Sequence, residues 1–161
     1  IAFQAMQTGH ACMATFHASS VEKLIQRLTG DPINIPKAHV DNLNLVIIMS
    51  SVRLPGGRIA RRVLSINEIV GFNPEGNSFD FIEVFRWNSS TDSFDFPGYM
   101  NTALLEQTVA SKRGIPPQEK RKIYDQVENR AEILRKLNER QLTNFYELHS
   151  VLSQANKQGL L

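Results

Sequence analysis

The sequence predicts an α/β chain: a short strand and helix, then an antiparallel meander, then a helical carboxyl-terminal part. Three observations carry that expectation. A run of small and apolar residues ends at a capped amphipathic helix near the start. Residues 43–96 alternate apolar and polar between glycine-, proline- and asparagine-containing turns. From Thr102 onward the apolar spacing changes to three and four.

Ala11 to Ala18 reads as a strand buried on both faces, because near-continuous apolar runs suit the centre of a parallel sheet. Ser19 and Glu22 have the spacing of a capping box, in which hydroxyl and carboxylate each satisfy an open amide. The helix that follows places Val21, Leu24, Ile25 and Leu28 on one face, and Gly30 and Pro32 stop it. Leu43–Leu54 is a second buried strand. Pro55, Gly56 and Gly57 turn the chain, and Arg58–Phe72 returns as its hairpin partner. A turn at Asn73–Asn77 leads to a strand over Phe79–Trp87, and Ser90–Phe96 supplies a turn and a short strand. One helix is expected over about Thr102–Lys112, ending at Gly114. A second opens at Pro116 and Pro117, with Ile123, Val127, Leu134 and Leu137 near one face. A last helix over about Asn144–Gln154 is expected to bury Phe145, Leu148 and Leu152. The change from sheet to helices divides the chain into residues 1–100 and 101–161.

With 161 residues the chain is long enough for a core. Its formal net charge of +2 is too small to argue for a nucleic-acid partner. Cys12 is the single cysteine, so no internal disulfide can form and a reducing compartment is expected. The longest apolar run, Leu43–Met49, falls far short of the roughly 20 residues that span a bilayer. No basic segment precedes an apolar stretch at the start, and the chain begins with Ile1, which reads as a piece of a longer protein.

His10 and His17 are the residues with most chemistry to offer. If the segment between them is extended, seven residues at roughly 3.3 Å each hold them about 23 Å apart. Metal ligands sit a little over about 2 Å from a shared ion, so the pair is not a chelate and no metal site is expected. His17 stands at the carboxyl end of the predicted strand, where ligands collect in open parallel sheets. It either meets an anionic group there or bonds a neighbouring carbonyl. His10, after Gly9, reads as a turn histidine.

The stretch Thr8, Gly9, His10, Thr15, His17, Ala18 and Ser20 resembles, in order and spacing, the histidine box of the secretion ATPase superfamily. These are the hexameric motors of type II secretion, type IV pili and archaeal filaments. The segments VEKLIQRLTGDPINIP, GGRIARRVLSINEIVGFNP and EVFRWNSSTDSFDF look archaeal in style, so the resemblance extends over residues 2–155. It implies part of a RecA-like P-loop ATPase sheet carrying the meander and the helical bundle. It also implies His17 at the γ-phosphate or attacking water, Thr15 assisting by hydrogen bonding, and His10 supporting the loop. The intact family member uses ATP and Mg2+, forms a hexamer and docks peripherally on a membrane platform protein at the cytoplasmic face. A stand-alone interaction domain retaining an ATPase-like core is the other reading.

The family's phosphate-cradling G-x-x-x-x-G-K-[ST] motif is absent, since no Gly-Lys pair occurs anywhere in the chain. The resemblance therefore implies the carboxyl-terminal part of an ATPase domain, with Walker B also outside it. Of the remaining features, Arg58, Arg61 and Arg62 read as an exposed basic hairpin, or as a contact with nucleotide or a neighbouring subunit. The basic run Lys112–Lys122 is interleaved with acids and reads as a solvated face rather than a nucleic-acid site. Trp87 reads as core, and His39 and His149 as surface residues. The purified 161-residue chain is expected to bind no ATP tightly and to show no ATPase activity above background in a phosphate-release assay.

Overall fold

The structure, a computed structural model, describes residues 2–159. It is an α/β fold with a four-stranded antiparallel sheet and carboxyl-terminal helices. The chain divides into two compact units after Leu104. Among the described residues no helix is long and apolar enough to cross a membrane.

The first unit begins with helices α1 (Ala2–Gln7), α2 (Val21–Thr29) and the single turn α3 (Lys37–Val40). The sheet follows as β1 (Leu45–Arg53), β2 (Ile59–Asn73), β3 (Ser78–Asn88) and β4 (Ser93–Asp95). Consecutive strands pair antiparallel in the order β1-β2-β3-β4. The turns follow from local chemistry. Gly56 and Gly57 both adopt φ near +87°, open to glycine without strain. At the β2–β3 turn the Asn73 side chain accepts from the amides of Glu75 and Gly76, which mimics a backbone turn.

Helix α2 covers one face of the sheet. Val21, Leu24, Ile25 and Leu28 are buried with Val46 and Ile48 of β1 and Ile69 of β2, and Phe79 and Phe81 of β3 pack at the margin. Each such aliphatic side chain contributes about 2 kcal/mol by leaving water. The opposite face begins as a polar and aromatic layer. Phe96 stacks on Phe85 with centroids 4.2 Å apart and meets Tyr99 edge-on. Buried Glu68 accepts a hydrogen bond from the Leu104 amide. A β-carbon on Gly98 would lie 2.8 Å from Val84 Cα, so only glycine allows this close approach.

Four sequence expectations change in this unit. Ala11–Ala18 is not a buried strand: it has no ladder partner, and every residue from Ala11 to His17 is exposed. A central strand needs neighbours on both sides, and among the described residues the only sheet is the meander. The α2 cap is Ser20 rather than Ser19, with the Ser20 hydroxyl accepting from the Lys23 amide. Glu22 still joins the cap, since the Ser20 hydroxyl holds its carboxyl below the usual range. Strand β1 is buried on one face only: Val46 and Ile48 face α2, whereas Leu45, Ile47 and Met49 are exposed. The strict alternation expected over Phe79–Trp87 is broken by a register shift that leaves Val84 without an opposite residue.

In the second unit, the expected helix over 102–112 is divided. Leu104–Val109 winds with π-type spacing before α4 (Ala110–Lys112). Gly114, at φ +66°, ends it while the Ile115 amide returns to the Ala110 carbonyl. Pro117–Glu119 forms a 3-10 turn and α5 runs Arg121–Glu139. Ile123 and Tyr124 are buried, and the Tyr124 hydroxyl donates to Glu106 at 2.7 Å. Leu134, expected on the apolar face, is 51% exposed. Helix α6 (Phe145–Lys157) is capped by Asn144, whose side chain accepts from the Tyr146 and Glu147 amides. Phe145 is exposed rather than buried, lying against Tyr146 and His149. It is the first residue of the helix, ahead of the half-buried Leu148 by most of a turn and of Leu152 by nearly two.

If α2 is the main support of the sheet, Leu24→Ala should cost about 3 kcal/mol in urea denaturation. Met49→Ala, on the exposed face of β1, should cost about 0.5 kcal/mol.

Candidate functional site

The histidine-box residues fall into two anchored ends joined by a free middle. Thr8, Gly9 and His10 close α1. Gly9 takes φ +87°, its amide returns to the Met6 carbonyl, and the His10 amide returns to the Ala5 carbonyl. This paired closure is a Schellman motif, and it requires the residue at the Gly9 position to be left-handed. The Thr8 hydroxyl reaches the Ala5 carbonyl at 2.9 Å and His10 Nδ1 at 3.0 Å. His10 is therefore a turn histidine, tied to the end of a helix.

At the other end, Ser20 starts α2 and Ala18 packs against its core. His17 lies three residues before that cap and is exposed. Its carbonyl accepts a hydrogen bond from the Arg27 guanidinium of α2. The same guanidinium lies over the Phe16 ring, 5.0 Å from its centre. Between the two ends, residues 11–19 make no backbone–backbone hydrogen bond among the described residues. Met13 is fully exposed, and Thr15 and Cys12 are exposed.

Thr15 and His17 offer donors suited to anionic oxygens, and both stand on an exposed segment. Among the described residues, no three His, Cys, Asp or Glu side chains converge on one point.

The basic residues of the hairpin separate by face. Arg62 is bidentate to Asp92, at 2.8 and 2.7 Å, and Trp87 Nε1 donates to the same carboxylate at 2.9 Å. Arg62 is thus a tie between β2 and the β3–β4 turn rather than a free cation, and Trp87 is half-buried beside it. The Arg62 and Trp87 hydrogen bonds hold the Asp92 carboxyl down to about 2. In the run Lys112–Lys122, Lys120 pairs with Glu106 at 2.9 Å, Lys122 with Glu119, and Arg113 with Gln126. His39 is half-buried, its carbonyl bonded by Asn42, and His149 is exposed.

Residues 1–54 match the family model described as "Type II/IV secretion system protein". The match supports the secretion ATPase superfamily. It spans α1, the histidine segment, α2, α3 and β1, and so contains every box residue. Three similar proteins come from Methanocaldococcus jannaschii. Uncharacterized protein MJ0900 is 39% identical over 99% of this chain and 28% of its own length. Uncharacterized protein MJ1287 is 40% identical over 85% of this chain and 48% of its own. Uncharacterized protein MJ0781 is 35% identical over 76% of this chain and 16% of its own. The chain thus spans less than half the length of each of these relatives.

Sequence reasoning found the two histidines but missed Arg27, which carries no motif and stands on the exposed side of α2. Asp92 was equally silent, although its φ of +52° suits a turn aspartate.

The Asp92 carboxyl titrates well below its ordinary 3.8. Its stabilising effect is therefore complete above that ordinary value and is lost as pH falls toward about 2. In chemical denaturation at pH 6, Asp92→Asn should be less stable than the parent, and the gap should close as pH approaches the folded-state value.

Proposed function

We propose that the chain is the histidine-box and carboxyl-terminal portion of an archaeal-type secretion ATPase, a ring-forming motor for protein secretion or filament assembly. The observation that carries this reading is the seven-position match Thr8, Gly9, His10, Thr15, His17, Ala18 and Ser20, inside the 1–54 family match and followed by a capped helix. The lengths of the relatives support a larger whole.

In that whole, other segments supply the phosphate cradle and Mg2+ carboxylates, and this chain supplies one edge of the nucleotide site. His17 is the donor at the terminal-phosphate side and Thr15 its neighbour, while His10 shapes the entry through the closure of α1. The exposed, unladdered backbone of residues 11–19 suits a segment whose sheet neighbours come from elsewhere in the protein. The complete motor works as a hexamer at the cytoplasmic face of a membrane, held there by a platform protein, with no nucleic-acid partner.

In the longer protein, His17→Ala should lower kcat for ATP at least tenfold while nucleotide affinity changes less than threefold, read by steady-state kinetics beside equilibrium binding. Collapse of affinity with unchanged turnover per bound ATP would contradict the role given to His17.

A further inference from the structure

Resting on the reading of His17 as a nucleotide-edge residue, we infer that Arg27 is the positioning residue that sets where His17 is presented. Arg27 stands in the last turn of α2, on its exposed side. Its guanidinium reaches back ten residues to donate to the His17 carbonyl. It also covers the Phe16 ring at 5.0 Å. Two adjacent residues of the box are thus gripped by one side chain, through a hydrogen bond to the main chain and a cation–π contact.

The grip matters because the backbone on the amino side of Ala18 has few other ties. Residues 11–19 make no backbone–backbone hydrogen bond among the described residues. The helix that carries Arg27 is, by contrast, fixed: Leu24 and Leu28, on either side of it in sequence, are buried in the core. Arg27 therefore transfers the rigidity of α2 to the loop that presents the imidazole. A planar guanidinium suits this double task, since its edge can donate while its face stacks. A lysine ammonium keeps the charge but cannot do both in one plane. Because Arg27 is exposed and away from the apolar stripe, its replacement leaves the fold intact.

The test has two arms. In the 161-residue chain, 15N relaxation is recorded for the parent, Arg27→Met and Arg27→Lys, with the methyl shifts of Leu24 and Leu28 as the folding control. Arg27→Met should drop the order parameters of Phe16, His17 and Ala18 below about 0.6. Arg27→Lys should fall between, and the methyls should not move. In the longer protein, Arg27→Met should lower kcat for ATP about tenfold with KM within twofold, because misplacement of a reacting group costs rate rather than binding. Arg27→Lys should recover part of the loss. Unchanged order parameters in Arg27→Met would overturn the inference, as would lost order with an unchanged kcat. If the longer parent protein has no ATPase activity, the proposed function fails, while the relaxation arm still decides whether Arg27 orders His17.

Discussion

The seating of α2 on the meander is the constraint on which the rest of the first unit depends. Val21, Leu24, Ile25 and Leu28 close over Val46, Ile48 and Ile69, and this apolar layer is what makes an otherwise open antiparallel sheet a folded body. The same helix fixes the functional segment at two points. Its amino end is capped by Ser20, three residues after His17, and its last turn sends Arg27 back to the His17 carbonyl. Burial on one face of α2 and presentation of the histidine on the other are thus consequences of one packing event.

The polar ties of the sheet serve a different purpose. Arg62, Asp92 and Trp87 connect β2 with the β3–β4 turn at the rim, where the charges keep contact with water. Burying a pair of this kind costs more than it returns, whereas a rim position with bidentate geometry retains its charge-assisted bonds. Glu68, in contrast, is buried, and one of its carboxylate oxygens accepts from the Leu104 amide.

The meander was legible in the sequence because its signals are local. Alternation over Arg58–Phe72 and the Pro55-Gly56-Gly57 and Asn73–Asn77 turns name both the strands and their antiparallel pairing. Helix α2 was legible through its stripe. The cap moved by one residue because Ser19 and Ser20 are chemically equivalent candidates, and only the extended backbone of Ser20 decides between them. The Ala11–Ala18 segment was misread for a stronger reason: its composition reports the surroundings of a strand, and among the described residues those surroundings are missing. Phe145 and Leu134 show the limit of helical spacing. It identifies which residues share a face, not whether anything covers that face.

For the candidate site, the sequence named the histidines and their spacing, while the device that holds His17 depends on a contact ten residues long and had no motif to announce it. The central claim is that His17 meets bound nucleotide. Histidine modification by diethyl pyrocarbonate in the longer protein, read by mass spectrometry with and without a non-hydrolysable ATP analogue and Mg2+, tests it most directly. Exposed His17 and His149 should both react without nucleotide, and the analogue should slow modification of His17 while leaving His149 unchanged. Equal rates at His17 in the presence and absence of bound analogue would contradict the account.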